Sequence, residues 1–485
     1  NKPPALLVAA CAEHGCMAGA APDTPAASAE LTPARRVLVL CIVSLALLMM
    51  SVDSTIVATA LHALQQDLHT SENWAGWSIT TYAFGFVLML PISGRLSDRY
   101  GRRRVFLGSV ITFTAASLAC GLAHDIVTLV LLRALQAAGG AGFTPSATGI
   151  VVDHFGQARD RAVGLFGTIF PIGAMIGPIF GGLFVTYASW RDVFFVNVPI
   201  GLVVAVLALR YIPRDPPQGQ QQRLRMDGAG MALLAVTLFA CMLVASYLGE
   251  AHAPVGPALL ALLAGVAGVS GWLFLRHVAR AEPPFISPRL IHGPGFGVVN
   301  LVNMVYGGIS IGAVALIPLY ASNRYGMNAL YAGTLLVAQG CASIVLSVLA
   351  TMALRRTGYR LPLYVGGAIS AVGMLLVALA PPAGMAPHAW LTGAALVLGL
   401  GTGAVNPASR NAGLQLAPQE SSSIAGLRSL CFQLGTIAVV SLATAALAGA
   451  ADAGMRQAWV YAAVAALLLL ALPLVARVPE HHGAW

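Results

Sequence analysis

Apolar residues run along this chain in long unbroken blocks of about 18 to 25, separated by short polar stretches, from residue 37 to residue 476. Each block is long enough to cross about 30 Å of hydrocarbon as a helix. None shows the strict alternation of a lipid-facing strand, so a closed barrel is not expected. The pattern predicts fourteen helices, near 37–60, 75–93, 105–122, 126–150, 162–186, 192–211, 228–248, 257–275, 296–320, 328–353, 362–380, 389–408, 423–448 and 457–476.

Composition fits the same picture. Of 485 residues, 58% are hydrophobic and only 9% charged, and the mean hydropathy is +0.79. A soluble protein of this length would need far more charge on its surface, so an all-α, polytopic membrane protein is predicted. Its seven cysteines are scattered, with no CxxC pair, which predicts neither a disulfide framework nor a metal site. Residues 1–33, rich in Ala, Pro and small polar types, are expected to be disordered. The run ALLVAACA is too brief for a signal peptide, and Met17 is a candidate start.

Charge then gives orientation, because Lys and Arg stay in cytoplasmic loops. With the N-terminus inside, all 27 Lys and Arg fall on inner segments except Arg191, Arg324, Arg456 and the intramembrane Arg133. The net charge of +9 follows from topology and does not argue for nucleic acid as a partner. Both termini are therefore expected in the cytoplasm. Two Pro-, Gly- and Arg-rich inner segments, 212–227 and 276–295, flank helices seven and eight. Setting that pair aside leaves six helices at 34–212 and six at 296–476, followed by a short tail at 477–485.

The densest charge is GRLSDRYGRRRV, Gly94 to Val105, with one acid and five arginines between helices two and three. MALRRTGYRLPL, 352–363, echoes it after helix ten, with Gly358 in the place of Gly101 and Arg355 in the place of Asp98. Helix one carries VDSTIVATALHAL (52–64), helix four RALQAAGGA (133–141) and helix five GAMIGPIFGG (173–182), followed by WRDVFFVNVPIG (190–201). Through these motifs the chain resembles the major facilitator superfamily, and within it the fourteen-helix drug/proton antiporters of the EmrB/QacA type. Gly94, Leu96, Asp98, Arg99, Gly101, Arg102 and Arg103 match the loop motif G-x-L-x-D-R-x-G-R-R. Gly173, Gly177, Pro178, Gly181 and Gly182 match the antiporter motif G-x-x-x-G-P-x-x-G-G. Helix one departs from the subgroup at Ala58 and His62, and helix four at Ala137. The resemblance implies two six-helix bundles plus two extra helices. It implies export of small amphipathic compounds in exchange for protons, with no cofactor beyond the proton gradient, by a monomer in the plasma membrane.

An acid inside the membrane is costly and marks function by default, which makes Asp53 the first candidate for proton coupling. Arg133 lies at a compatible depth in helix four, and the resemblance implies that this arginine takes part in coupling. An acid held beside a movable positive charge can change protonation on a small displacement, as a proton carrier must. Gly173, Gly177 and Gly181 form a stripe four residues apart, for close packing or for a bend that seals a cavity. Gly94, Asp98, Arg99, Gly101 and Arg102 are expected to act as a conformational latch, Asp98 meeting a helix N-terminus or an arginine such as Arg102.

Asn300, Asn303, Gly307 and Ser310 share one face of helix nine. With Tyr306, Trp77, Tyr82, Gln339 and Gln433 they are candidates for a central amphipathic pocket, ordinary helix packing being the alternative. The second half has no clearly embedded acid. Arg410 and Arg428, at the inner ends of helices twelve and thirteen, are read first as topology anchors and second as attractors of an anionic substrate. An importer or uniporter on the same scaffold is the alternative function, and accessory efflux subunits remain an open partner class. A membrane-embedded enzyme is disfavoured, since HExxH and GxxxxGK[ST] are both missing from the chain.

Overall fold

A computed structural model describes residues 32–70, 72–215, 227–249, 256–281, 284, 286–327, 329–447 and 452–480. The segment expected to be disordered lies outside them up to residue 31. So do 216–226 of the first inner linker and 481–485 of the tail.

Every regular element among these residues is helical. The rods are α1 (Pro33–Asp67), α2 (Glu72–Tyr100), α3 (Arg102–Gly121), α4 (Ile126–His154), α5 (Arg159–Tyr187), α6 (Asp192–Tyr211) and α7 (Gly228–Gly249). They continue with α8 (Pro257–Val278), α9 (Phe296 to Tyr325, in segments), α10 (Ala329–Thr357), α11 (Arg360–Ala378), α12 (Pro387–Asn411), α13 (Ser421–Leu447) and α14 (Ala453–Val475). Among the described residues, 13 helices are long and apolar enough to cross a membrane, and a shorter apolar stretch, Gly228–Val244, lies in α7. The predicted boundaries shift most at α1 and α2, which extend past their apolar blocks to Asp67 and Tyr100.

Irregularities sit where prolines or glycines free a backbone group. Pro145 lacks the N–H that would bond the Ala141 carbonyl, and α4 turns at Gly142. The freed carbonyl accepts from Ser93 Oγ of α2 at 3.1 Å. In α9 a π-helical segment, Asn303–Ile309, is followed by a break at Leu316 ahead of Pro318. There α14 adds side-chain donors to the backbone, from Gln457 Nε2 to Leu316 O at 3.0 Å and from Tyr461 Oη to Ala313 O at 3.1 Å.

The two halves repeat one packing scheme. In the first, α1 packs on α5, α2 on α4 and α3 on α6; in the second, α9 packs on α13, α10 on α12 and α11 on α14. The halves meet where α2 faces α13 and α5 faces α10. Helices α7 and α8 pair with each other, α7 lying against α2 and α13. Lipid offers no hydrophobic drive between helices, so close van der Waals fit holds such pairs. Phe113 shows this, its ring centroid 5.4 Å from that of Phe143.

The echo between Gly101 and Gly358 is geometric as well as sequential. Gly101 has φ 103° and Gly358 φ 68°, values that L side chains rarely adopt. Each turn leads into a helix whose first amides bond an acid from beyond the sixth helix of its half. Asp215 accepts from Arg103 N at 2.9 Å and Arg104 N at 3.0 Å, and Glu480 accepts from Tyr359 N at 2.6 Å.

Candidate functional site

Asp53 is fully buried, and so, to within 1%, is Arg133. Arg133 Nη1 donates to Asp53 Oδ2 at 2.9 Å, joining α4 to α1. Gln136 Nε2 and Asn197 Nδ2 each donate to Asp53 Oδ1 at 2.8 Å. The carboxylate therefore accepts from α1's neighbours α4 and α6, and every donor has an ordered place. Gln136 Oε1 accepts a second bond from Arg133 Nη1 at 2.6 Å, and Gln136 Nε2 also reaches Ser117 Oγ of α3 at 2.7 Å. The guanidinium lies over the Tyr82 ring at 4.0 Å and near Phe194 at 5.6 Å. Such a cluster is stable only as a set, since removing one partner of a buried ion pair costs about 3 to 5 kcal/mol.

The motif after α5 fixes one end of this arrangement. Asp67, at the end of α1, accepts from Arg191 Nη1 at 2.5 Å and from Trp190 Nε1 at 3.0 Å. The Arg191 hydrogen bond, and then that of Trp190, hold the Asp67 carboxyl below its usual range. This clasp ties α1 to the start of α6, a few residues before Asn197.

The glycine stripe of α5 lies against α1. A methyl group at Gly173 would strike Ser51, one at Gly177 Thr55, and one at Gly181 Thr59 and Ile56, so the two backbones touch along the stretch that carries Asp53. Ser51 Oγ donates across the contact to Phe170 O at 3.0 Å. Gly182 points to open space and is exposed, while the side-chain surroundings of Pro178 lie outside the described residues. Gly177→Leu is accordingly expected to force α1 from α5 and disturb the Asp53 cluster. A passive proton leak or loss of transport in vesicles is the predicted result, and wild-type behaviour of both would refute this packing role.

At the arginine-rich end a second cluster joins the halves. Asp98, on the last turn of α2, accepts from the backbone amides of Ser422 at 3.3 Å and Ser423 at 2.8 Å, the N-terminus of α13. Ser97 Oγ donates to Ser422 Oγ at 3.2 Å. Gly94 allows the approach, since a Cβ there would meet the Ser422 carbonyl. Arg102 donates to Gly149 O at 2.6 Å, pairs with Asp153, and reaches Gln419 O of the second half at 3.3 Å. Its Nε is 3.9 Å from Asp98, so the helix N-terminus rather than Arg102 is the main partner of that acid. Arg99 instead lies over the neighbouring Tyr100 ring at 5.1 Å. Nearby, Asn411 Nδ2 donates to Asp160 O at 3.1 Å, a further link between halves at the same end.

The candidate pocket residues do not converge. Asn300 Nδ2 bonds the Leu290 carbonyl at 2.9 Å, and Ser409 Oγ of α12 donates to Asn303 Oδ1 at 2.7 Å. Tyr306 Oη donates to Leu468 O of α14 at 2.7 Å, and Tyr82 walls the Arg133 site. Gln339 Nε2 donates to Thr402 Oγ1 at 3.2 Å. Trp77 is exposed near the N-terminal end of α2, and Gln433 is half-buried on α13. Asn300, Asn303 and Tyr306 of α9 thus take protein partners, in keeping with the packing alternative. The topology-anchor reading of Arg410 and Arg428 needs correction: Arg428 is 8% exposed, and Arg410 extends back along α12 from its C-terminal end, with Nε 2.9 Å from Asn406 Oδ1.

Ser422, Ser423, Gln136 and Asn197 help to carry the two clusters without having been singled out from sequence. Gln136 and Asn197 stand inside the quoted motifs, where a buried amide in an apolar helix is itself a signal. Ser422 and Ser423 act through backbone amides, which no side-chain pattern reveals.

The family model described as Major Facilitator Superfamily matches residues 43–440. Multidrug resistance protein 3 of Bacillus subtilis (strain 168) is 30% identical over 360 residues, covering 74% of this chain and 69% of the relative. The cephamycin export protein CmcT of Amycolatopsis lactamdurans is 31% identical over 394 residues, covering 79% of each. The solved structure of the proton:xylose symporter XylE bound to 6-bromo-6-deoxy-D-glucose superposes with a TM-score of 0.64 at 16% identity, covering 93% of this chain and 97% of that one. The chain belongs to the Major Facilitator Superfamily and is a multi-pass membrane transporter of small molecules, not an enzyme.

Proposed function

We propose that the protein exports small amphipathic compounds in exchange for protons, by alternating access between its two halves. The observation that carries this reading is the buried carboxylate of Asp53, held by Arg133, Gln136 and Asn197. Proton uptake at Asp53 removes the charge that neutralises Arg133 and leaves a buried guanidinium uncompensated. That cost drives α1, α4 and α6 to rearrange. Because α1 is packed along the α5 stripe, and α5 faces α10 of the other half, the rearrangement reaches the interface. Protons enter from outside, neutralise Asp53 and favour substrate release there; deprotonation toward the inside restores the ion pair.

Export rather than uptake is supported by the glycine stripe and by the two relatives, which are named for multidrug resistance and cephamycin export. No cofactor is required, and a monomer in the inner membrane suffices. Everted vesicles with an acid interior test the reading: a transported compound added outside should collapse the pH gradient within seconds. Uptake of that compound without any effect of or on the gradient would instead favour a uniporter.

A further inference from the structure

Arg410 and Arg428 are used differently from the buried arginines Arg102, Arg133 and Arg159. Arg133 pairs with Asp53, Arg102 with Asp153 and Arg159 with Asp160. Among the described residues, neither Arg410 nor Arg428 has a carboxylate within 4.0 Å. Arg410 begins at the inner end of α12, where a lysine-like anchor would bend toward water. Its side chain goes the other way, as the Cα–Cβ direction of this helix favours. The Nε bonds Asn406 one turn toward the membrane centre, and the guanidinium carbon lies 5.4 Å from the Phe170 ring of α5. Arg428 enters from α13, donating only a long 3.4 Å bond to Ser429 Oγ, and its charge bears on Arg410.

Two guanidinium groups whose charges bear on one another, one buried and one partly buried, with no carboxylate within 4.0 Å, are unfavourable unless an anion joins them. They stand on two helices of the second half and against an aromatic ring of the first. A ligand held there touches both halves, as a substrate under alternating access must.

We infer that Arg410 and Arg428 form the anion-binding end of the substrate site and take the carboxylate of an amphipathic organic acid, its apolar part lying against Phe170. The inference rests on the exporter reading and names its substrate class. A planar guanidinium fork matches a carboxylate bidentately, and the Phe170 face suits an aryl or alicyclic body rather than a bare inorganic ion.

Binding of 1-naphthoate, 1-naphthamide and 1-naphthylmethylamine to the purified full chain in neutral detergent tests this, since the three share one ring system. The acid should bind at least about tenfold more tightly than the amide, as charge-assisted bonds allow. Arg410→Gln and Arg428→Gln should each bring that ratio within about twofold while leaving amide affinity unchanged. Arg410→Lys, which keeps the charge, should retain part of the preference. Equal binding of acid and amide by the wild type, or a preference that survives both glutamine variants, would overturn the inference. Added phosphatidylglycerol displacing no naphthoate is expected; strong competition without a carboxylate preference would assign the arginines to a lipid and overturn it too. No gradient is involved, so a carboxylate preference combined with gradient-independent transport would sink the exporter reading and leave this site standing.

Discussion

Asp53→Asn is expected to abolish proton-driven export in proteoliposomes while leaving a folded, membrane-inserted protein. The substitution is nearly isosteric, yet it removes the titratable group and changes the bonding. Asp53 is met by three donors, from Arg133, Gln136 and Asn197. An asparagine turns one of its own donors toward them and leaves Arg133 without its charge partner. Loss of one member of a buried ion pair costs about 3 to 5 kcal/mol, partly recovered by the other contacts of Arg133 to Tyr82 and Gln136. Export against a gradient should fall to the level of protein-free vesicles. Substrate exchange at equal concentrations, which needs no net proton movement, should persist. Unchanged gradient-driven export would remove Asp53 from the mechanism.

Asp98→Asn should act on rate rather than on recognition. Asp98 lies at the inner end, bonded to the α13 amides of Ser422 and Ser423, where a carboxylate also meets the positive end of the helix dipole. The interaction exists only while the inner ends of the halves are together, so its loss destabilises the inside-closed state relative to the inside-open one. A loss of about 1 to 2 kcal/mol corresponds to turnover slowed about five- to thirtyfold if reclosure limits the cycle. Half-saturation should move by less than about twofold, because the acid is bonded to protein backbone. Weaker binding at unchanged turnover would place Asp98 in the substrate site instead.

The fold was legible because lipid imposes a simple code. A helix needs a long apolar block, and loops keep their arginines on one side. The loop motif and the α5 glycine stripe were readable for a related reason: each demands a particular backbone geometry, positive φ at Gly101 and contact with Thr55 at Gly177. Asp53 and Arg133 were readable as isolated charges in apolar surroundings. The pocket was not. A polar residue in a membrane helix must find a partner, and spacing does not say whether that partner is a ligand or another helix. Asn303 is bonded by Ser409, and Tyr306 bonds the Leu468 carbonyl. The direction of Arg410 was hidden for the same reason, since its position near a helix end is compatible with an anchor and with a site.

Proton release on substrate binding tests the account most directly. The purified protein, in weakly buffered solution with a pH indicator, is mixed with the best transported compound of a substrate panel. Wild-type protein is predicted to release protons as substrate binds, and Asp53→Asn to bind the same compound with no release. Equal release from both proteins would contradict the assignment of Asp53 as the proton carrier.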